Sequence, residues 1–109
     1  MAEDVFFHWA PAERRKSIVR SGLLPGSNST DRLWRPPYIC LANSPRLAWE
    51  LSGKMPRGKE HPEWDLWEVW VHEQSGYEEL YFDSGALKEI RVYERIYKRN
   101  VWLVGSRSN

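Results

Sequence analysis

The pattern of hydrophobic and polar residues divides the chain into short strands and two short helices. Residues 5–9 are apolar or aromatic except for His8, and such a run is typical of a strand. Pro11 stands where the first residue of a helix could lie, because a helix start leaves that N–H unpaired in any case. Gly22 predicts the end of this helix. The pattern therefore predicts a strand with His8 near its end, followed by a short basic helix that begins at Pro11.

A second strand and helix follow after a turn-rich loop at residues 25–37. Residues 38–42 are mostly apolar and predict a central strand. Ser44 is then the expected N-cap of a helix whose first residue is Pro45, and Gly53 is its expected stop. Helical spacing places three residues on one buried face: Leu47, Ala48 and Leu51.

The second half of the chain predicts strands only. Residues 64–72 alternate, with Trp67, Val69 and Val71 on the core side. Residues 77–82 lie between turn signals and predict a hairpin arm or an irregular loop. Residues 89–93 predict a strand with Ile90 and Val92 inward, and residues 101–104 predict the last strand. Helices in the first half and strands in the second indicate an α+β fold with a mostly antiparallel, split sheet and two short helices.

Composition limits the classes of protein that this chain can represent. Its 109 residues predict one domain over residues 1–109. A net charge of +1 argues against a surface that is basic throughout, although a local basic patch remains open. The single cysteine excludes an internal disulfide and a Cys-based zinc cluster. Neither a signal peptide nor a membrane-spanning run is recognisable, so we expect a cytoplasmic protein that does not enter a membrane.

Three pieces of the chain, taken in order, resemble the ADP-ribosyltransferase fold. They are residues 7–9 with the helix and the Gly22-Leu23-Leu24-Pro25 exit, residues 38–48 with their strand and Ser44 helix start, and the strand that opens at Glu89. The resemblance is greatest to the small histidine-type members, which include DNA-modifying toxin transferases, RNA 2′-phosphotransferases and the catalytic core of poly-ADP-ribose polymerases. Residue 9 departs from it, because Trp9 is bulky where relatives often carry a small residue.

This resemblance implies that NAD is the cofactor and that ADP-ribose is transferred to a macromolecular acceptor, a protein or a nucleic acid. It implies catalytic roles for three residues: His8 holding a ribose hydroxyl, Tyr38 stacking on nicotinamide, and Glu89 stabilising the positive charge that develops on the ribose. It also implies that the cofactor contacts a larger set: His8, Trp9, Arg20, Tyr38, Ser44 and Arg46. The two arginines of that set are the expected partners of the diphosphate. We further expect His8 and Glu89 to lie on neighbouring central strands and to face one cleft.

The sequence leaves three alternatives open. Cys40 lies on the same side of its strand as Tyr38 and can occupy the second motif position instead. Glu89 and Arg91 can be a surface ion pair of little consequence. The whole domain can be an inactive member of the fold, in which Trp and Arg side chains bind a protein or a single-stranded nucleic acid.

Overall fold

The computed structural model describes residues 5–26, 37–52, 61–73, 76–82 and 87–108. They form an α+β fold of six strands and two short helices, joined in places by 3₁₀ turns. The strands are β1 Val5–Pro11, β2 Ile39–Leu41, β3 Glu63–Trp70, β4 Glu78–Phe82, β5 Leu87–Val92 and β6 Val101–Ser108, and the helices are α1 Arg15–Ser21 and α2 Pro45–Ser52. Neither of these helices is long and apolar enough to cross a membrane.

The strands form two antiparallel sheets of three strands each. The first sheet has the order β1-β3-β6 and the second has the order β2-β5-β4. A backbone bridge between Phe7 of β1 and Ala42, just after β2, joins the two sheets by hydrogen bonds of 2.8 and 3.0 Å. This split antiparallel arrangement is the α+β class that the hydrophobic pattern predicts.

The start of α1 differs from the prediction. Pro11 is the last residue of β1, where it pairs with Trp64, and a 3₁₀ turn at Ala12–Arg14 precedes the helix. The φ of −55° at Pro11 suits a helix start as well as a strand, but its ψ of 140° is extended. Pairing with β3 therefore decides the conformation, and the helix begins four residues later than predicted.

The end of α1 is where the sequence predicts it. Gly22 adopts a φ of 79°, and its N–H bonds to the Ile18 carbonyl at 2.7 Å. The next residue, Leu23, is buried and pairs through its backbone with Ile96. This pairing fixes the C-terminal end of α1 against the segment that leads into β6.

Two apolar clusters form the core. The larger lies between the sheets and α1, and it includes Trp67, Val69, Ile90 and Val92 as the alternation predicts. The smaller lies under α2, where Ala48 and Leu51 are buried and Leu47 is partly buried. The N-cap of α2 is also confirmed, because the Leu47 N–H donates to Ser44 Oγ at 3.2 Å.

Several predicted features extend further than expected or lie elsewhere. β6 continues to Ser108, well beyond the predicted residue 104, and β4 and β5 form the predicted hairpin arm. Most of the predicted loop at residues 25–37, together with the predicted stop at Gly53, lies outside the described residues. His61, which lies just before β3, is buried and bonds to the Glu13 carboxylate at 2.9 Å.

Candidate functional site

His8 sits on β1 where this strand approaches β2. Its Nδ1 lies 2.7 Å from the Cys40 carbonyl oxygen. A carbonyl only accepts hydrogen bonds, so Nδ1 carries the proton and Nε2 presents a lone pair. Burial lowers the pKa of His8 to about 4, the Cys40 hydrogen bond opposes this, and the charge of Arg14 adds to it. At neutral pH the half-buried ring is therefore uncharged, with Nε2 as a hydrogen-bond acceptor.

Glu89 lies on the other side of Cys40. Cys40 and Glu89 share a face of the second sheet, and the Cys40 thiol donates to Glu89 Oε2 at 2.8 Å. The Arg91 guanidinium donates to the other oxygen, Oε1, at 3.1 Å. The Glu89 side chain is 0 % exposed and that of Arg91 is 21 % exposed. The alternative of a surface ion pair is therefore wrong, because the carboxylate is completely removed from solvent.

The charge of Arg91 is preserved beside this carboxylate. Burial disfavours the charged guanidinium, but the hydrogen bond and charge of Glu89 outweigh that effect and raise the pKa of Arg91. Arg91 also lies over the Tyr38 ring, 4.2 Å from its centroid. Two opposite charges thus neutralise each other at the site, as a buried carboxylate requires.

Tyr38 occupies a different place from the one that a stacking residue between His8 and Glu89 would need. Its ring packs against Arg91 and against Tyr93, whose ring centroid is 5.8 Å away. Cys40 is the residue that contacts both His8 and Glu89. Cys40 therefore lies between His8 and Glu89, whereas Tyr38 packs against Arg91.

The strands of His8 and Glu89 are not direct neighbours, which corrects one expectation. β5 pairs with β2 and β4, and β1 pairs with β3, so β2 lies between the two residues. Their side chains are nonetheless joined through one residue, because His8 bonds to the main chain of Cys40 and Glu89 to its side chain. His8 and Glu89 therefore both bond to Cys40, although β2 separates their strands, and their facing one cleft stays a prediction.

The other predicted cofactor contacts are placed as follows. The indole of Trp9 donates to the Pro45 carbonyl at 2.8 Å, and its ring packs edge-on against Trp49 at 5.2 Å, so its described contacts are with α2. Ser44 caps α2. Arg20 and Arg46 are exposed on α1 and α2, and no contact among the described residues joins them to His8 or Glu89.

Sequence reasoning did not single out Arg14, and it left Cys40 as an alternative to Tyr38. The charge of Arg14 disfavours protonation of His8 and adds to the lowering of its pKa. The sequence leaves Cys40 open as the second motif residue, but it does not predict that Cys40 contacts both His8 and Glu89. The alternation of residues 38–42 gives its direction, but only the register between β2 and β5 shows what it meets.

No group of three or more His, Cys, Asp or Glu side chains that could hold a metal ion occurs in the described ranges. Comparison with protein-family models gives no match, and the search of curated proteins gives no similar sequence. Function is therefore inferred from the geometry of the site.

Proposed function

We propose that the protein has an ADP-ribosyltransferase-like fold, cleaves NAD and transfers ADP-ribose to a macromolecular acceptor, a protein or a nucleic acid. The observation that carries this proposal is the convergence of His8 and Glu89 on Cys40. His8 then presents a neutral imidazole whose Nε2 can accept a hydrogen bond. Glu89 presents a carboxylate whose charge is balanced by Arg91, and both residues bond to Cys40. The resemblance to ADP-ribosyltransferases gives these two groups their roles in cleaving the bond between nicotinamide and ribose, where the carboxylate stabilises the developing positive charge.

Each residue has a chemical role in this proposal. Nε2 of His8 accepts a hydrogen bond from a ribose hydroxyl, because Nδ1 is already committed to Cys40. Glu89 stabilises positive charge that develops on the ribose as the bond to nicotinamide breaks. Arg14 is the cation that we assign to the diphosphate, since its charge reaches His8.

The contacts of Glu89 and Cys40 also favour a second candidate function, that of an inactive binding module. Glu89 is fully buried and bonded through both oxygens, and a thiol stands where an aromatic ring would stack on nicotinamide. Both features suit a structural ion pair in an inactive member of the fold that binds a protein or a single-stranded nucleic acid. This alternative predicts neither affinity for NAD nor release of nicotinamide.

Calorimetric NAD affinity and nicotinamide release, measured side by side, test the proposal. We expect Glu89→Gln to lower release by roughly 10²- to 10³-fold while leaving NAD affinity within a few-fold, because the amide keeps the shape and removes the charge. His8→Ala should instead weaken NAD binding, since its contact exists before bond cleavage. Glu79→Gln, the same change at an exposed position of β4, is the matched control.

Each outcome has a definite consequence. Glu89→Asp keeps a negative charge beside Arg91, so this variant supplies a folded comparison if Glu89→Gln is unstable. Turnover in Glu89→Gln equal to that of the parent would exclude this mechanism. A folded parent protein with neither NAD affinity nor nicotinamide release would favour the inactive binding module.

A further inference from the structure

Two basic segments that are distant in sequence lie side by side in the fold. One is the exposed side of α1 with Lys16 and Arg20, which are one helical turn apart. The other is the segment before β6, with its own set of exposed side chains: Arg95, Tyr97, Lys98 and Arg99. These six residues are called the basic surface below.

Main-chain contacts hold the two segments together. Leu23 and Ile96 exchange two backbone hydrogen bonds of 2.9 Å, and the Arg95 guanidinium donates to the Ser21 carbonyl at 3.1 and 3.3 Å. Gly22 packs so closely on residues 96–98 that a Cβ there would lie 2.8 Å from the Lys98 nitrogen. The basic surface is therefore a fixed feature of the fold.

The surface concentrates positive charge in a protein whose net charge is only +1. Arg99 is paired with Glu73. In contrast, no acidic partner among the described residues neutralises Lys16, Arg20 or Lys98, and the guanidinium of Arg95 bonds to the Ser21 carbonyl. Four cations that lack a carboxylate partner in the described structure attract a polyanion more strongly than the net charge suggests.

An aromatic ring lies among these cations. Tyr97 is 46 % exposed, and the guanidinium carbons of Arg95 and Arg99 lie 5.5 and 4.9 Å from its ring centroid. Phenol and guanidinium planes both offer faces on which an unpaired base can stack. Acidic side chains and lipid headgroups would pair with the charges but have no base to stack on the Tyr97 ring or the guanidinium planes. In a duplex the bases are already stacked on one another.

We propose that the basic surface binds single-stranded nucleic acid, with Lys16, Arg20, Arg95 and Lys98 contacting phosphates and the Tyr97 cluster contacting bases. This binding needs no NAD and does not depend on the proposed transfer reaction, so the two proposals fail separately. Four phosphate contacts give a slope of about −3 for the logarithm of affinity against the logarithm of salt concentration on a single strand.

Fluorescence anisotropy with labelled 12-nucleotide oligothymidylate and oligouridylate tests this surface in the full chain without NAD. The double variant Arg20→Ser/Lys98→Ser should lower affinity roughly 10- to 30-fold at 0.1 M salt and reduce the salt slope by about 1.4. Tyr97→Ala should lower affinity while leaving the slope unchanged, because stacking releases no counterions. Arg46→Ser/Lys88→Ser removes the same net charge elsewhere and should bind like the parent.

Further binding measurements with other anionic ligands show which class of ligand the basic surface prefers. Thermal unfolding verifies that each variant is folded. Equal losses in the two double variants would overturn the assignment to this surface. Tighter binding to a duplex of the same length, to poly-glutamate or to phosphatidylserine vesicles would overturn the assignment to a single strand. No binding of either oligonucleotide at 0.05 M salt would overturn the proposal altogether.

Discussion

At the scale of single residues, burial and one hydrogen bond define the state of His8. The Cys40 carbonyl fixes the tautomer, and burial keeps the ring neutral. A surface histidine on the same strand would be partly charged near neutral pH and would present donors at both nitrogens. The position of His8 between the two sheets therefore determines whether it accepts or donates a hydrogen bond.

This neutrality predicts how stability depends on pH. The pKa of His8 falls from 6.5 in the unfolded chain to about 4 in the folded protein, so between these values the unfolded chain binds the additional proton. Stability is therefore lost as pH falls from 6.5 to 4, by about 1–3 kcal/mol from this residue. Urea unfolding at pH 7 and pH 4.5 should show a smaller decrease for His8→Gln than for the parent. Equal decreases in the two proteins would contradict the assignment.

At the scale of secondary-structure elements, the sequence predicts what depends on neighbours along the chain. The Ser44 cap, the Gly22 stop and the alternation in β3 and β5 each follow from local rules, and each is confirmed. The helix start at Pro11 is wrong because pairing with Trp64 decides between two conformations that proline permits. The sequence offers Cys40 as an alternative to Tyr38, but its contacts cannot be predicted because they depend on the register between strands that are far apart in sequence.

Gly22 offers a test at this scale. Its φ of 79° is strained for an L-residue, and a Cβ would collide with the Ile96 carbonyl oxygen as well as approach Lys98. We expect Gly22→Ala to lower the free energy of unfolding by about 2 kcal/mol or more. Gly76→Ala is the matched control, since nothing lies within 4 Å of the added methyl group. A change in Gly22→Ala as small as that of Gly76→Ala, within about 0.5 kcal/mol, would contradict this account.

At the scale of the whole molecule, the candidate site lies where the two sheets meet. The sheets are joined by the bridge between Phe7 and Ala42, and α2 packs mainly on β1 while also touching β5. The cluster under α2 brings Ala42 and Leu51 together with Phe7 and Cys40. Residues from both sheets therefore share one small core, and the geometry of His8, Cys40 and Glu89 depends on it.

Because this core spans both sheets, we expect the domain to unfold as one cooperative unit. The described tryptophans lie in the first sheet and in α2, so tryptophan fluorescence monitors that part, whereas amide hydrogen exchange at Leu41 and Ile90 monitors the second sheet. Both methods should give the same free energy of unfolding. Leu51→Ala should lower both values equally, by about 2–5 kcal/mol, because it leaves a cavity in the shared core. If Leu51→Ala lowers the value from fluorescence but leaves hydrogen exchange at Leu41 and Ile90 unchanged, the two sheets unfold independently. The shared core would then not hold His8, Cys40 and Glu89 in place together.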